Sequence, residues 1–129
     1  MSEPIVFVSH SRVKEGKLEG LRDFLRAGAT VLEAEKPGTV AFLAYIDDEG
    51  SELSIVHVFP DPDAMDLHLQ GVDERRGAAD EFIETQAYEI YGTPSAAVLE
   101  TMRRFASSES VQLSVRPNHL GGYLRPLAG

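Results

Sequence analysis

The sequence predicts an α+β fold of ferredoxin-like type, a β-α-β-β-α-β antiparallel sheet with an added C-terminal helix and strand. Three observations carry that prediction. Short runs of alternating β-branched and aromatic residues are separated by longer stretches whose apolar residues recur at helical spacing. Their order is β-α-β-β-α-β followed by α-β, and the first six elements are the split βαβ arrangement, with both helices on one face of the sheet. The second strand is apolar on both sides, with Val40, Phe42, Ala44 and Ile46 of one parity and Ala41, Leu43 and Tyr45 of the other.

Taken in order, Ile5–His10 reads as the first strand. Lys14–Lys36 reads as a long helix, because Leu18, Leu21, Leu25 and Leu32 form an apolar stripe widened by Phe24 and Val31. Pro37-Gly38 stops it. Thr39–Ile46 is the second strand, Asp47-Asp48-Glu49-Gly50 supplies turn chemistry, and Leu53–Phe59 is the third strand. Asp61 is the expected N-cap of a second helix, with Pro62 at its first position and Asp63 and Asp66 near its positive end. Gly71 and Gly77 are expected to interrupt that helix, and the AADEFI segment to resume it. Gln86–Tyr91 is the fourth strand. Gly92-Thr93-Pro94-Ser95 is a turn with a second cap-and-proline start, and Val98, Leu99, Met102 and Phe105 define a third amphipathic helix. Val111–Arg116 is the fifth strand, and Pro117–Gly129 a Gly/Pro-rich tail. Residues 1–92 therefore read as the ferredoxin-like core, and residues 93–129 as a helix, strand and arm of the same single domain.

At 129 residues the chain has the size of one domain. Such a chain buries roughly two-thirds of its unfolded surface, so it needs no disulfide or metal staple. It has no cysteine, which excludes thiolate sites and cysteine nucleophiles. The opening MSEPIVFVSH has neither the basic region nor the apolar core of a signal peptide, and no apolar run approaches the ~20 residues that span a bilayer. These features lead to the expectation of a cytoplasmic protein with no membrane partner. The net charge of −9 argues against nucleic acid as a partner. Residues 1–100 hold 8 basic and 20 acidic residues, whereas residues 101–129 hold 4 and 1, so a basic tail follows an acidic body. That tail is expected to tie a dimer together in preference to closing over an anionic ligand.

A ferredoxin-like sheet has helices on one face only. The strand that is apolar on both sides therefore implies a bare apolar wall, with Leu43 and Tyr45 beside either Val56 and Val58 or Ile55 and His57 of the next strand. A second copy of the chain is expected to cover it, as a homodimer.

Four segments, RVKEG (Arg12–Gly16), PGTVAF (Pro37–Phe42), HVFPDPDAMDLHL (His57–Leu69) and YEIYG (Tyr88–Gly92), resemble the antibiotic-biosynthesis-monooxygenase-like family of dimeric α/β-barrel proteins over roughly residues 4–92. The resemblance implies a ferredoxin-like protomer whose sheet packs on that of a twin to close a barrel. It also implies cofactor-independent monooxygenation of an aromatic or enolisable compound. The family's haem-degrading members use an asparagine on the first strand and a tryptophan at the end of the third. This chain has Phe59 at the latter place, no tryptophan, and its one asparagine, Asn118, in the tail. Haem degradation is accordingly not expected, and no cofactor is expected.

His68 matches the family's helix histidine and is the expected catalytic acid/base, since imidazole exchanges a proton near neutral pH. His57, Tyr45, Tyr88 and Phe59 are the expected substrate-binding residues for a small apolar or aromatic ligand. The alternative for each is structural: a histidine packed at the sheet edge, or a strand tyrosine with a satisfied hydroxyl. No metal is expected, because the histidines lack metal-ligand spacing; His10 and His57, on neighbouring strands, are the one conceivable pair. The Asp47–Glu49 turn lacks the ligand spacing of a calcium loop. Two function classes remain: an enzyme of the kind described, or a non-catalytic dimeric protein that binds a small ligand or serves as an accessory subunit.

Overall fold

A computed structural model of the chain describes residues 3–109 and 111–125; the end of the expected tail, 126–129, lies outside the described residues. The chain runs β1 (Ile5–Val13), α1 (Leu18–Glu35), β2 (Ala41–Ile46), β3 (Glu52–Phe59), α2 (Pro62–Leu69), α3 (Val72–Ala79), β4 (Ile83–Tyr91), α4 (Ala96–Glu109) and β5 (Gln112–Arg116). The strands form one sheet in the order β2-β3-β1-β4-β5. Neighbours among the first four are antiparallel, which is the ferredoxin-like arrangement. β5 is parallel to β4, so the extended sheet is mixed, not antiparallel throughout. The crossover through α4 brings the chain back in its original direction, which a hairpin cannot do.

Several boundaries differ from the sequence reading. β1 extends three residues past His10, and β4 starts at Ile83 instead of Gln86. The two extensions pair with each other, Val13 opposite Ile83, beyond a register shift after His10. The AADEFI segment does not resume a helix: Ala79 ends α3, and residues 80–82 turn into β4. Lys14 fixes that turn, its backbone N–H donating to the Phe82 carbonyl (2.8 Å) and its Nζ to the Asp80 carbonyl. Gly77 lies inside α3 without breaking it, whereas Gly71, at φ +81, separates α2 from α3. α1 begins at Leu18, four residues later than expected. The cap of α2 is as read: Asp61 Oδ1 accepts from the Ala64 N–H at 2.8 Å, and Pro62 opens the helix.

Residues opposite one another in a ladder share a sheet face. Phe42, His57, Phe7 and Ile90 thus face the helices, as do Ile55, Ser9, Tyr88 and Leu113. Ile5, Phe7, Phe59, Met65, Tyr88, Ile90, Val98, Met102 and Phe105 form the main core, so α4 packs into the same cluster as β1 and α2. A smaller cluster centres on Val13, Leu21 and Leu53 under α1. The outer face carries Val6 and Val8, Ala41, Leu43 and Tyr45, Val56 and Val58, and Tyr91. Leu43 is 46 % and Tyr45 60 % exposed there, so no helix among the described residues covers them.

Candidate active site

Between the helix face of the sheet and α1, α3 and α4 lies a cavity of about 620 Å³. Its walls are mostly apolar, with Phe7, Phe24, Leu25, Phe42, Val72 and Phe105 among them. Ser9, Ser11 and Thr85 place hydroxyls on the sheet side, and His57, His68, Tyr88, Arg75 and Arg76 bring the stronger polar groups. A largely apolar cavity with a few convergent polar groups is the usual form of a small-molecule site.

His57 reaches this cavity because β3 alternates, and its parity puts Leu53, Ile55, His57 and Phe59 on the helix side. Its ring stacks on Phe7 with centroids 4.8 Å apart, and its Nδ1 lies 3.0 Å from the Phe7 carbonyl oxygen. A carbonyl only accepts, so Nδ1 carries the hydrogen and donates it. Burial pushes the His57 pKa down to about 4, against the raising effect of the Phe7 carbonyl and with a further lowering by Arg75.

His68 stands on the last turn of α2. Its ring meets that of His57 edge-on, with centroids 5.1 Å apart at 80°. Its Nδ1 is 2.8 Å from Thr39 Oγ1. Burial pushes its pKa down to about 3, with the charges of His57, Arg75 and Lys36 acting in the same direction. A helix C-terminus ordinarily favours a protonated histidine. Here that end is already occupied by cations: Lys36 Nζ donates to the Leu67 and Gln70 carbonyls at 2.8 and 3.2 Å, and Arg75 donates to the Gln70 and His68 carbonyls. Both imidazoles are therefore neutral at physiological pH. Among the described residues no buried side-chain nitrogen or oxygen lacks a hydrogen-bond partner. Neither Nε2 has a hydrogen-bond partner among the described residues, and both rings line the cavity.

Tyr88 is buried on β4 between Phe7 and Phe105, and its hydroxyl accepts from Arg76 Nε at 3.2 Å. The Arg76 guanidinium also lies over the Phe105 ring at 3.7 Å. Burial lowers the pKa of Arg75 from its ordinary value, opposed by Glu35.

Three of the five residues named from sequence, His57, His68 and Tyr88, come together at the cavity. Phe59 is fully buried behind the two histidine rings and packs against them without lining the cavity. Tyr45 lies on the outer face, across the sheet from the cavity, because its parity is that of Leu43 and Val56. His10 is on that outer face as well, so it makes no pair with His57. There it lies 2.9 Å from Ser54 Oγ and 2.5 Å from Glu89, whose carboxyl its hydrogen bond, with that of Tyr91, holds below the usual range. No cluster of three or more metal-ligating side chains occurs among the described residues. Thr39, Lys36, Arg75 and Arg76 went unread in the sequence. The one signal was the Arg75-Arg76 pair, two adjacent cations in a strongly acidic body.

No protein-family model matches the chain, and a search of the curated proteins gives no significant match. Solved structures do match. MupZ from Pseudomonas fluorescens superposes with a TM-score of 0.73 at 15% identity, over 98% of this chain and 100% of that one. The unmatched 2% amounts to about three residues, so α4 and β5 lie within the match. SnoaB, a cofactor-independent oxygenase from Streptomyces nogalater, gives 0.60 at 16% identity, over 74% of this chain and 97% of that one. A candidate antibiotic biosynthesis monooxygenase from Chloroflexus aurantiacus gives 0.56 at 16% identity, over 68% and 90%. At these identities the likeness is one of fold: the chain has the α+β ferredoxin-like fold of the antibiotic-biosynthesis-monooxygenase-like proteins. No helix among the described residues is long and apolar enough to cross a membrane.

Proposed function

We propose that this chain, sharing its fold with the antibiotic-biosynthesis-monooxygenase-like proteins, is a cofactor-independent oxygenase of aromatic or enolisable small molecules. The observation that carries the reading is the pair of neutral imidazoles, His57 and His68, set 5.1 Å apart in an aromatic-walled cavity. An acidic phenol or enol hydrogen passes to this imidazole pair, in which His68 takes an acid/base part, and the electron-rich anion reacts with molecular oxygen itself. The balance closes without an external reductant: an activated CH2 and one oxygen molecule give a ketone and water. The protein supplies an apolar enclosure, a proton acceptor, and donors that hold the anion, for which the Tyr88 hydroxyl and an imidazole N–H are the candidates. Cations beside the cavity favour the anion and disfavour a resting imidazolium, so the base stays free until substrate arrives.

The reading includes a homodimer, formed through the exposed outer face of the sheet. Val6, Val8, Leu43, Val56 and Val58 make that face apolar, and a wall of this kind is the usual mark of an interface.

A second reading, a dimeric binder without catalysis, draws on the same histidines. Values near 4 and 3 make them weak bases, suited to holding a ligand. Oxygen uptake separates the two. Purified protein is offered phenols, β-diketones and anthrones in an oxygen electrode, beside its His68→Ala variant. The oxygenase reading expects uptake by wild type and a loss of about a hundredfold in the variant. Unchanged turnover would remove His68 from the chemistry, and binding without uptake would establish the second reading.

A further inference from the structure

We propose that the two histidines divide the proton work, with His57 Nε2 as the fixed proton acceptor and His68, held at Nδ1 by Thr39, as the donor to the resulting anion. The assignment rests on the site proposed above and goes beyond it by giving each ring nitrogen one task.

The division follows from the two partners. His57 Nδ1 is tied to the Phe7 carbonyl, which can only accept, so the hydrogen stays on Nδ1 and the lone pair on Nε2. A flip of the ring would put Cδ2 where Nδ1 stands and lose that bond. An acceptor of fixed orientation needs no rearrangement when substrate arrives. His68 Nδ1 has a different kind of partner. The Thr39 hydroxyl both donates and accepts, so either tautomer of His68 is satisfied at the same 2.8 Å. With Thr39 donating, His68 presents an Nε2–H to the cavity. A substrate hydroxyl then breaks its O–H bond, its proton goes to His57 Nε2, and the electron pair stays on oxygen, where it accepts a hydrogen bond from His68 Nε2–H. The other acids and bases at the cavity are poorer candidates. Glu35, Glu74 and Asp80 border it from exposed positions, and Arg75 and Lys36 are engaged with the carbonyls that end α2.

Nitrogen NMR of the labelled wild-type protein reads the tautomers directly. The expected spectrum near neutral pH shows His57 as the Nδ1–H form and His68 as the Nε2–H form. Thr39→Val is expected to shift the His68 signals and leave those of His57 in place. A His57 ring protonated at Nε2 would overturn the proposal. Binding supplies the second measurement, with β-naphthol and its methyl ether as probes. Wild type is expected to prefer the naphthol about tenfold, the worth of one hydrogen bond. His57→Phe abolishes the preference, and His68→Gln, which keeps a donor, retains it. A preference that survives His57→Phe would also overturn the proposal. If that variant does not fold, titrating wild type with β-naphthol decides: the His57 Nε2 signal must move, and an unmoved signal refutes the assignment. Neither measurement reads oxygen, so an inert protein with these tautomers would contradict the oxygenase reading alone.

Discussion

His57 and His68 are 6 % and 2 % exposed, and burial is the first cause of their low pKa values. That has a consequence for stability. Unfolded, each ring takes up a proton near pH 6.5; folded, they resist until about 4 and 3. Above 6.5 both states are neutral and the rings add no pH dependence. As pH falls from 6.5 towards 4 the unfolded state binds more protons, so stability falls by about 1.4 kcal/mol per ring per pH unit. Asp47 and Glu89, whose carboxyls are held below their ordinary range by hydrogen bonds, act lower, as pH falls through the carboxyl range. Urea unfolding across this window should therefore show an acid slope that His57→Phe roughly halves, and parallel slopes for variant and wild type would refute the buried neutral ring. Legibility at this scale was uneven. His68 could be found because it sits in a capped helix after a strand, in DPDAMDLHL. Thr39 could not, since a threonine beginning a strand is ordinary and its partner is 29 residues away. The side of the sheet taken by His57 was open until pairing placed it opposite Phe7.

At the scale of elements, the corner between α2 and α3 determines where His68 stands. Asp61 opens α2, and Gly71 closes the corner with a left-handed backbone that brings Arg75 back onto the carbonyls of His68 and Gln70. A β-carbon at Gly71 would lie 3.4 Å from Arg75 Nη1, which is tolerable, so the effect of Gly71→Ala comes from φ. The variant should lose about 1 kcal/mol in urea unfolding. An unchanged midpoint would mean that the corner does not depend on the left-handed residue. The helical stripe of α1, the cap of α2 and the two-faced β2 were plain in the sequence because each has a local signature. The start of β4 was not. Glu84, Thr85 and Gln86 lack the apolar alternation of a strand, and only the extension of β1 and the Arg12–Glu84 ion pair at 3.0 Å make one of them. Arg75 and Arg76 look like part of a solvated helix face, and only the turn at Gly71 brings them to the cavity.

For the whole molecule, one sheet serves two purposes. Its helix face floors an aromatic cavity with two neutral imidazoles, and its other face is an apolar wall that α1 to α4 leave open. The order β-α-β-β-α-β already implied that asymmetry, because both helices of such a unit lie on one side. What the sequence left undecided was which residues stand on the wall, and pairing gives Val56 and Val58 to it and Ile55 and His57 to the cavity. We read the wall as the seat of a second copy and the cavity as the seat of a small aromatic or enolisable ligand. Native mass spectrometry of the wild-type protein at micromolar concentration, with β-naphthol added, tests both together. The account predicts a dimer that takes up one naphthol per subunit; a monomer that takes up none would contradict it.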